Sequence, residues 1–517
     1  MKESLRQSMA WLHTWVGLLL GWLLFAVFVT GTAAYFQDEI TRWMQPEIRG
    51  ERHPVASAEG AMAYLQAHAQ GAETWTIQLP GDRSVAAMAY WKEKGETFRQ
   101  WRDHAFMVDG QGRKIDARDT TGGWLLYRLH FDLHYVPVLW GRWAVGLAAM
   151  FMLVAIVSGV ITHKKIFADF FTLRFGKGQR SWLDAHNLSA VLALPFHFMI
   201  TYTGLVTLMS QYMPWGVAAA YERPVDYARD RFGADTSPTR SGRPAPVAPI
   251  ADMIRQARER WHGAEPGYIS IALPGDAHSV VKITRDTGAA IGTRGETLSF
   301  DGTTGKMHVP PPARGAAAQT ESVMVGLHAG RFAPAALRWL YFLAGLSGCA
   351  MVATGLVLWT AKRRQRLPDP LRPHFGFRLV ERLNIATISG LPFGIAVYFL
   401  ANRLLPSGMV ARAAAECDAL FLGWGALLLY VFLRPPRRAW VESLGLVAVA
   451  YLAVPVVDAV TTQRGLVPSL RDGDLVFAGF DACMLVAAAL FAFAAWKADR
   501  RPIALPRTSR TARDATA

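Results

Sequence analysis

Ser181 to Met209 reads SWLDAHNLSAVLALPFHFMITYTGLVTLM, an apolar run long enough to cross a bilayer. One histidine stands near its start, His186, and another follows eleven residues later, His197. Eleven residues is three helical turns and a small remainder. A straight helix therefore sets both imidazoles on one side, about 16 Å apart along the axis. An ionisable side chain inside an apolar span is costly and by default marks function. Two on one stripe point to axial ligands for stacked cofactors; the plain structural alternative is a hydrogen bond from each to a neighbouring helix.

The rest of the chain supports a membrane setting. Of its 517 residues 52% are hydrophobic and only 18% charged, the mean hydropathy is +0.16, and the apolar residues come in long blocks. The net charge of +15 falls mostly beside the spans, where topology explains it, so it is no nucleic-acid signal. Cys349, Cys417 and Cys483 lie far apart in apolar segments, which indicates neither a disulfide framework nor a zinc site. No CxxCH occurs, so c-type heme attachment is excluded. The block from Trp11 to Tyr35 is too long for a signal-peptide core and reads as a retained anchor.

In order, the expected organisation is a first span (1–36), a polar region (37–124), and an amphipathic lead with a second span (125–163). A basic loop (164–183), the third span (184–210), a second polar region (211–333) and the fourth span (334–361) follow. A basic linker (362–382), four further spans (383–497) and a basic tail (498–517) complete it. Lys and Arg at alternate ends place both termini and the basic loops in the cytoplasm, and both polar regions outside.

The first two-thirds is an internal repeat. His13 precedes Thr30-Gly31 as His186 precedes Thr203-Gly204, at the same spacing. TIQLPGD (Thr76 to Asp82) in the first polar region matches SIALPGD (Ser270 to Asp276) in the second. FMVDGQGRK (Phe106 to Lys114) likewise matches LSFDGTTGK (Leu298 to Lys306). Each region closes on Leu-His, at Leu129-His130 and Leu327-His328, and Arg142-Trp143 and Arg338-Trp339 then lead to Gly159 and Gly355.

Two copies in one orientation imply a pseudo-two-fold axis along the membrane normal. His13 then faces His186 near the cytoplasmic side, and His130 faces His328 near the outer side. Two facing imidazoles are what a low-spin b-type heme takes as axial ligands, so two hemes are expected. Gly17 and Gly21 follow His13 on one face and either leave room for a flat macrocycle or serve close helix packing. Seven of the fourteen histidines lie at or near the first four spans, namely His13, His130, His134, His163, His186, His197 and His328, and none lies within the last four. His163 sits at the inner boundary beside Lys164, where snorkelling is the plain reading. Straight helices would lift His130 and His328 above the bilayer, so His197 with His134 is a rival pairing for the outer heme.

The duplicated outer segments with their LPGD and DG phrases, His13 and His186 opening two spans, and the Leu-His pairs resemble the PepSY-associated transmembrane family. The stretch from His130 to Leu208, with THKK, WLDAH and LPFH, is similar to its iron-regulated, ferric-siderophore reductase-like members. The resemblance covers about residues 1–365. It implies a mostly α membrane protein with two PepSY-like α+β outer domains in the periplasm and a four-helix heme bundle in a bacterial-type inner membrane; the four additional C-terminal spans after Arg366, read from the apolar blocks, depart from the family pattern. It also implies electron transfer through b hemes to a ferric siderophore or other ferric chelate. No GxGxxG follows an expected strand, so no NAD or flavin site of its own is expected, and a quinol or separate reductase supplies electrons.

A siderophore or iron permease is the main rival, with Asp458 and Asp481 as candidates for translocation. A heme-free PepSY sensor or regulator is the third reading, and it leaves the histidine layers unexplained.

Overall fold

The computed structural model describes residues 4–96, 104–162, 172–232, 238–292, 295–308 and 315–500. It divides into one unit of Met1–His374 with Leu405–Cys417 and a second of Phe375–Leu404 with Asp418–Ala517. Among the described residues six helices are long and apolar enough to cross a membrane, and two bent helix pairs raise the number to as many as eight. That range includes the eight spans expected from the hydropathy blocks.

The bent pairs open the two repeats. Helix α1 (Leu5–Leu19) meets α2 (Gly21–Ala34) at 65°, as will α7 (Gln179–Leu192) and α8 (Leu194–Thr207) at 67°. The breaks fall at Leu20 and Ala193, each seven residues after its histidine. Pro195 sits in the first turn of α8, where its missing N–H costs nothing. A Cβ at Gly21 would stand 2.7 Å from the Leu356 side chain, so there a glycine admits the neighbouring helix at the break. The expectation of one straight third span is thereby corrected: His186 and His197 lie on two segments, and the 16 Å stripe does not exist.

After α2 come α3 (Gln37–Met44), α4 (Pro54–His68), and strands β1 (Thr74–Gln78), β2 (Ala87–Lys92), β3 (Phe106–Val108) and β4 (Lys114–Ile115). Then follow α5 (Gly123–Asp132), the span α6 (Val138–Thr162), and the pair α7 and α8. Three short helices, α9 (Met209–Tyr212), α10 (Trp215–Ala220) and α11 (Pro224–Phe232), lead to α12 (Ile250–Arg260). Strands β5 (Pro266–Ala272), β6 (Val280–Arg285) and β7 (Thr297–Asp301) come next, then α13 (Ala316–Ala329) and the span α14 (Ala335–Arg364).

The two polar regions, expected as separate domains, build one antiparallel sheet in the order β4-β3-β2-β1-β5-β6-β7. Its central seam joins β1 to β5, the strands carrying TIQ and SIA, with Thr76 opposite Ser270. Alternate residues of β5, β6 and β7 are buried, as a half-buried sheet requires. One apolar core joins them to both helices, with Ala61 and Leu65 of α4, Met253 and Ile254 of α12, and Ile77, Ile269 and Phe300 of the strands. Four strands alone would leave an open central edge; the shared core removes it.

A salt-bridge cluster ties this sheet to the spans. Arg83, just after LPGD, pairs with Asp38 and Glu39 of α3, and Glu39 also accepts from Arg338 at the start of α14. The helices bearing Leu-His do not continue straight into the next span. Leu133 (φ 55) and His134 (φ 39) reverse the chain after α5, and Gly330 (φ 62) does so after α13. The reversal lays α5 beside α2 and α13 beside α8, which removes the reason to place His130 and His328 above the spans.

The second unit contains α15 (Phe375–Ile388), α16 (Gly390–Leu404), α18 (Pro436–Thr461), α19 (Leu466–Arg471), α20 (Leu475–Asp499) and most of α17 (Arg412–Leu433). Ala396, Val447, Ala450, Tyr451 and Ala488 form a core there. The Arg403 and Asp458 side chains, both at 0% exposure, form an ion pair of 2.5 Å. Thr462 also donates to Asp458, so this interior carboxylate is paired on both counts.

Candidate functional site

Four histidines come together as two pairs. His13 of α1 and His186 of α7 have ring centres 6.1 Å apart with planes at 68°. His130 of α5 and His328 of α13 have centres 6.0 Å apart with planes at 32°.

Every ring is fixed in the same way. Nδ1 of His13 meets the Ala155 carbonyl of α6 at 2.9 Å, and Nδ1 of His186 meets the Met351 carbonyl of α14 at 2.8 Å. Nδ1 of His130 meets the Val27 carbonyl of α2 at 2.8 Å, and Nδ1 of His328 meets the Ile200 carbonyl of α8 at 2.9 Å. A carbonyl only accepts, so Nδ1 carries the hydrogen in all four. The neutral ring then has its lone pair on Nε2, the arrangement found in metal-bound histidines.

Glycines make the room. A Cβ at Gly31 would stand 2.6 Å from His130, and one at Gly204 2.8 Å from His328. At Gly159 and Gly355 a Cβ would stand 3.2 Å from His13 and 3.1 Å from His186. All four recur between the helical parts of the two repeats, where they seat imidazoles. Gly17 has open space beside it, whereas Gly21 packs under Leu356, so the two readings of those glycines divide between them.

The pair spacing can be tested against a metal held between two rings. A metal–imidazole bond is about 2.0–2.1 Å, and adding the distance from nitrogen to ring centre on each side puts the centres about 6.4 Å apart. Both pairs lie within a few tenths of an ångström of that spacing. All four histidines are half-buried, so each borders space not filled by side chains. The donor set fits a bis-imidazole iron porphyrin. Among the described residues no group of three or more His, Cys, Asp or Glu is placed to hold a bare metal ion.

The remaining candidates lie elsewhere. His134 is exposed in the reversal after α5, edge-on to Tyr135 at 4.6 Å. His197 is 1% exposed, between Phe28 at 6.0 Å and Phe196 at 6.1 Å. No ring contact joins these two, so the rival pairing is not assembled, whereas His130 with His328 is. His163 lies outside the described residues. The carbonyls of Val27, Ala155, Ile200 and Met351 were not foreseen; backbone acceptors leave no side-chain signal, and the recurrent glycines near them were the only trace.

The fold and the site define a multi-pass helical membrane protein whose spans carry one β-sheet domain and two histidine pairs. The chain belongs to the PepSY-associated TM region family, which matches residues 10–362. It is also similar to the uncharacterized protein PA4219 of Pseudomonas aeruginosa, with 28% identity over 397 residues, 71% of this chain and 94% of that protein. The second unit lies beyond the family match.

Proposed function

We propose that this chain passes electrons across a bacterial inner membrane to a ferric siderophore or similar ferric chelate outside, releasing its iron, with b-type heme at each histidine pair. The observation that carries the reading is the repeated pair of imidazoles about 6 Å apart, each fixed through Nδ1 to a backbone carbonyl. Bound heme supplies one-electron redox chemistry at such a ligand pair.

The chain's own residues do the rest. Val27, Ala155, Ile200 and Met351 hold the rings in one tautomer and orientation, which raises their basicity as ligands. The spans keep water from the pairs. The basic flanks support an orientation with the His13 end in the cytoplasm and the sheet domain outside, where it would offer a docking surface. Oxygen ligands suited to Fe(III) hold Fe(II) weakly, so reduction frees the metal. A quinol or separate reductase is the electron source, since no dinucleotide motif is present.

The test is an absorption spectrum of detergent-purified protein, oxidised and dithionite-reduced, with a pyridine hemochrome count. Two b hemes per chain and reoxidation by ferric siderophores are expected, with His13→Ala or His186→Ala removing one heme and His130→Ala or His328→Ala the other. Heme-free protein from heme-supplied cells would overturn the reading in favour of transport.

A further inference from the structure

His197 is the buried imidazole that the two pairs do not use. It stands eleven residues after His186, where the first repeat has Leu24 eleven residues after His13. It is 1% exposed, and neither Nδ1 nor Nε2 makes a hydrogen bond. It precedes Gly204, the bed of His328, by seven residues, two turns of α8, and so shares the face turned toward that pair, about 10 Å away along the axis.

The backbone acceptors facing the ring, short of hydrogen-bond geometry, are the carbonyls of Ala190 and Ala344. A neutral imidazole has one N–H for two acceptors; a protonated one has two. Among the described residues, α2 carries no titratable side chain from Gly21 to Ala34. On α7, Asp184 is held by Arg174 and His186 by Met351. On α14, Arg338 is held by Glu39, Cys349 meets Thr32, and Tyr341 lies behind Phe196. On α6, Arg142 pairs with Asp132; on α13, Glu321 pairs with Arg231 and His328 is held by Ile200; on α8 itself Tyr202 is half-exposed. None of these is an uncommitted base beside the ring.

We propose that His197 binds one proton when the interior of the bundle gains one electron, and releases it on reoxidation. The inference rests on the proposed function. The electron comes from the quinol or reductase and leaves to the ferric chelate. The proton comes from water, adds to the ring lone pair without breaking another bond, and returns to water. In a low-dielectric interior an added negative charge is costly, and a proton taken up nearby offsets it. His197 is thus a positioning residue for charge, not a ligand.

The experiment is a spectroelectrochemical titration of the full-length, heme-loaded protein between pH 6 and pH 9, with His197→Leu (matching Leu24) and His197→Gln. A one-electron, one-proton couple shifts by up to 59 mV for each tenfold change in proton concentration. In the wild type the midpoint of at least one heme falls with rising pH, and in both variants that slope is lost while both hemes remain. If the Leu variant does not fold, the Gln variant, which keeps the polarity without the titration, decides. A wild-type midpoint independent of pH overturns the inference, as does a slope kept in the variants. Absence of heme from the wild type is a separate result, read in the hemochrome count, and removes the proposed function itself.

Discussion

Gly31 lies so close to His130 that a Cβ at that position would stand 2.6 Å from both Cε1 and Nδ1 of the ring. That contact cannot be relieved without moving the imidazole or the helix that accepts its hydrogen bond. Gly31→Ala is therefore expected to remove the heme proposed at the second pair and to leave that proposed at the first. The neighbours grade the effect: Gly204→Ala is next, at 2.8 Å, and Gly159→Ala and Gly355→Ala, at 3.2 and 3.1 Å, are mild. Hemochrome counts on the four variants check the order. Equal loss in all four would show that the glycines do not act through the rings.

In the second unit the Arg403–Asp458 pair is fully buried. Removing one partner of such a pair leaves an uncompensated charge and costs about 3–5 kcal/mol, whereas replacing both by apolar residues is often neutral. Arg403→Met or Asp458→Leu alone is expected to lower the thermal midpoint in detergent sharply, and the double variant to recover most of it. If the double variant were as damaged as the singles, the pair would have a purpose beyond mutual neutralisation.

The sheet domain is expected to be acid-sensitive. Burial of Asp276 raises its pKa, but N–H groups of His278, Ser241 and Gly242 and the Ser241 hydroxyl outweigh that and hold it far below the usual carboxylate range. The Thr304 N–H and the Thr303 hydroxyl bring Asp301 down to about 2. A carboxylate whose folded pKa is depressed contributes stability that is present above its unfolded value, about 3.9, and lost as pH falls toward the folded one. The protection of β5 to β7 against hydrogen exchange, taken relative to the intrinsic rate at each pH, is thus predicted to stay flat from pH 7 to about pH 4 and to fall below it. Asp276→Asn should lower that protection at neutral pH and weaken the acid response.

Pro195→Ala tests what holds the bend between α7 and α8. The bond from His186 to Met351 precedes the break and the bond from His328 to Ile200 follows it. The first repeat makes a 65° bend without a proline. The variant is therefore expected to keep both proposed hemes and to change stability by about 1 kcal/mol or less. Loss of either heme would show that the proline sets the angle.

Much of this was legible in the sequence because the repeat sets the pairings: once His13 was matched to His186 and His130 to His328, the partners followed. Hydropathy blocks located the spans. What it hid was direction. A break at Leu20 carries no proline, and the one at Ala193 lies inside an unbroken apolar run, so periodicity read each as one helix. The reversal after α5 depends on a leucine and a histidine at positive φ, which no turn rule anticipates. The shared sheet was hidden because strand pairing is non-local, and β1 and β5 are joined through nearly two hundred residues of intervening chain.

The β1–β5 seam also bears on how such a chain is assembled. Thr76 pairs with Ser270, its own counterpart in the matching phrases, so the seam is self-complementary: the strand that meets β1 is a second version of β1. One repeat by itself is half a sheet with an exposed edge, and the partner that edge is shaped for is another copy of the same half. Fusion of the two halves makes their encounter independent of concentration and lets one side differ from the other. That freedom is visible where the first half has Leu24 and the second has His197. The seam therefore joins two like strands inside one polypeptide, while the helices around it are free to differ, as Leu24 and His197 do.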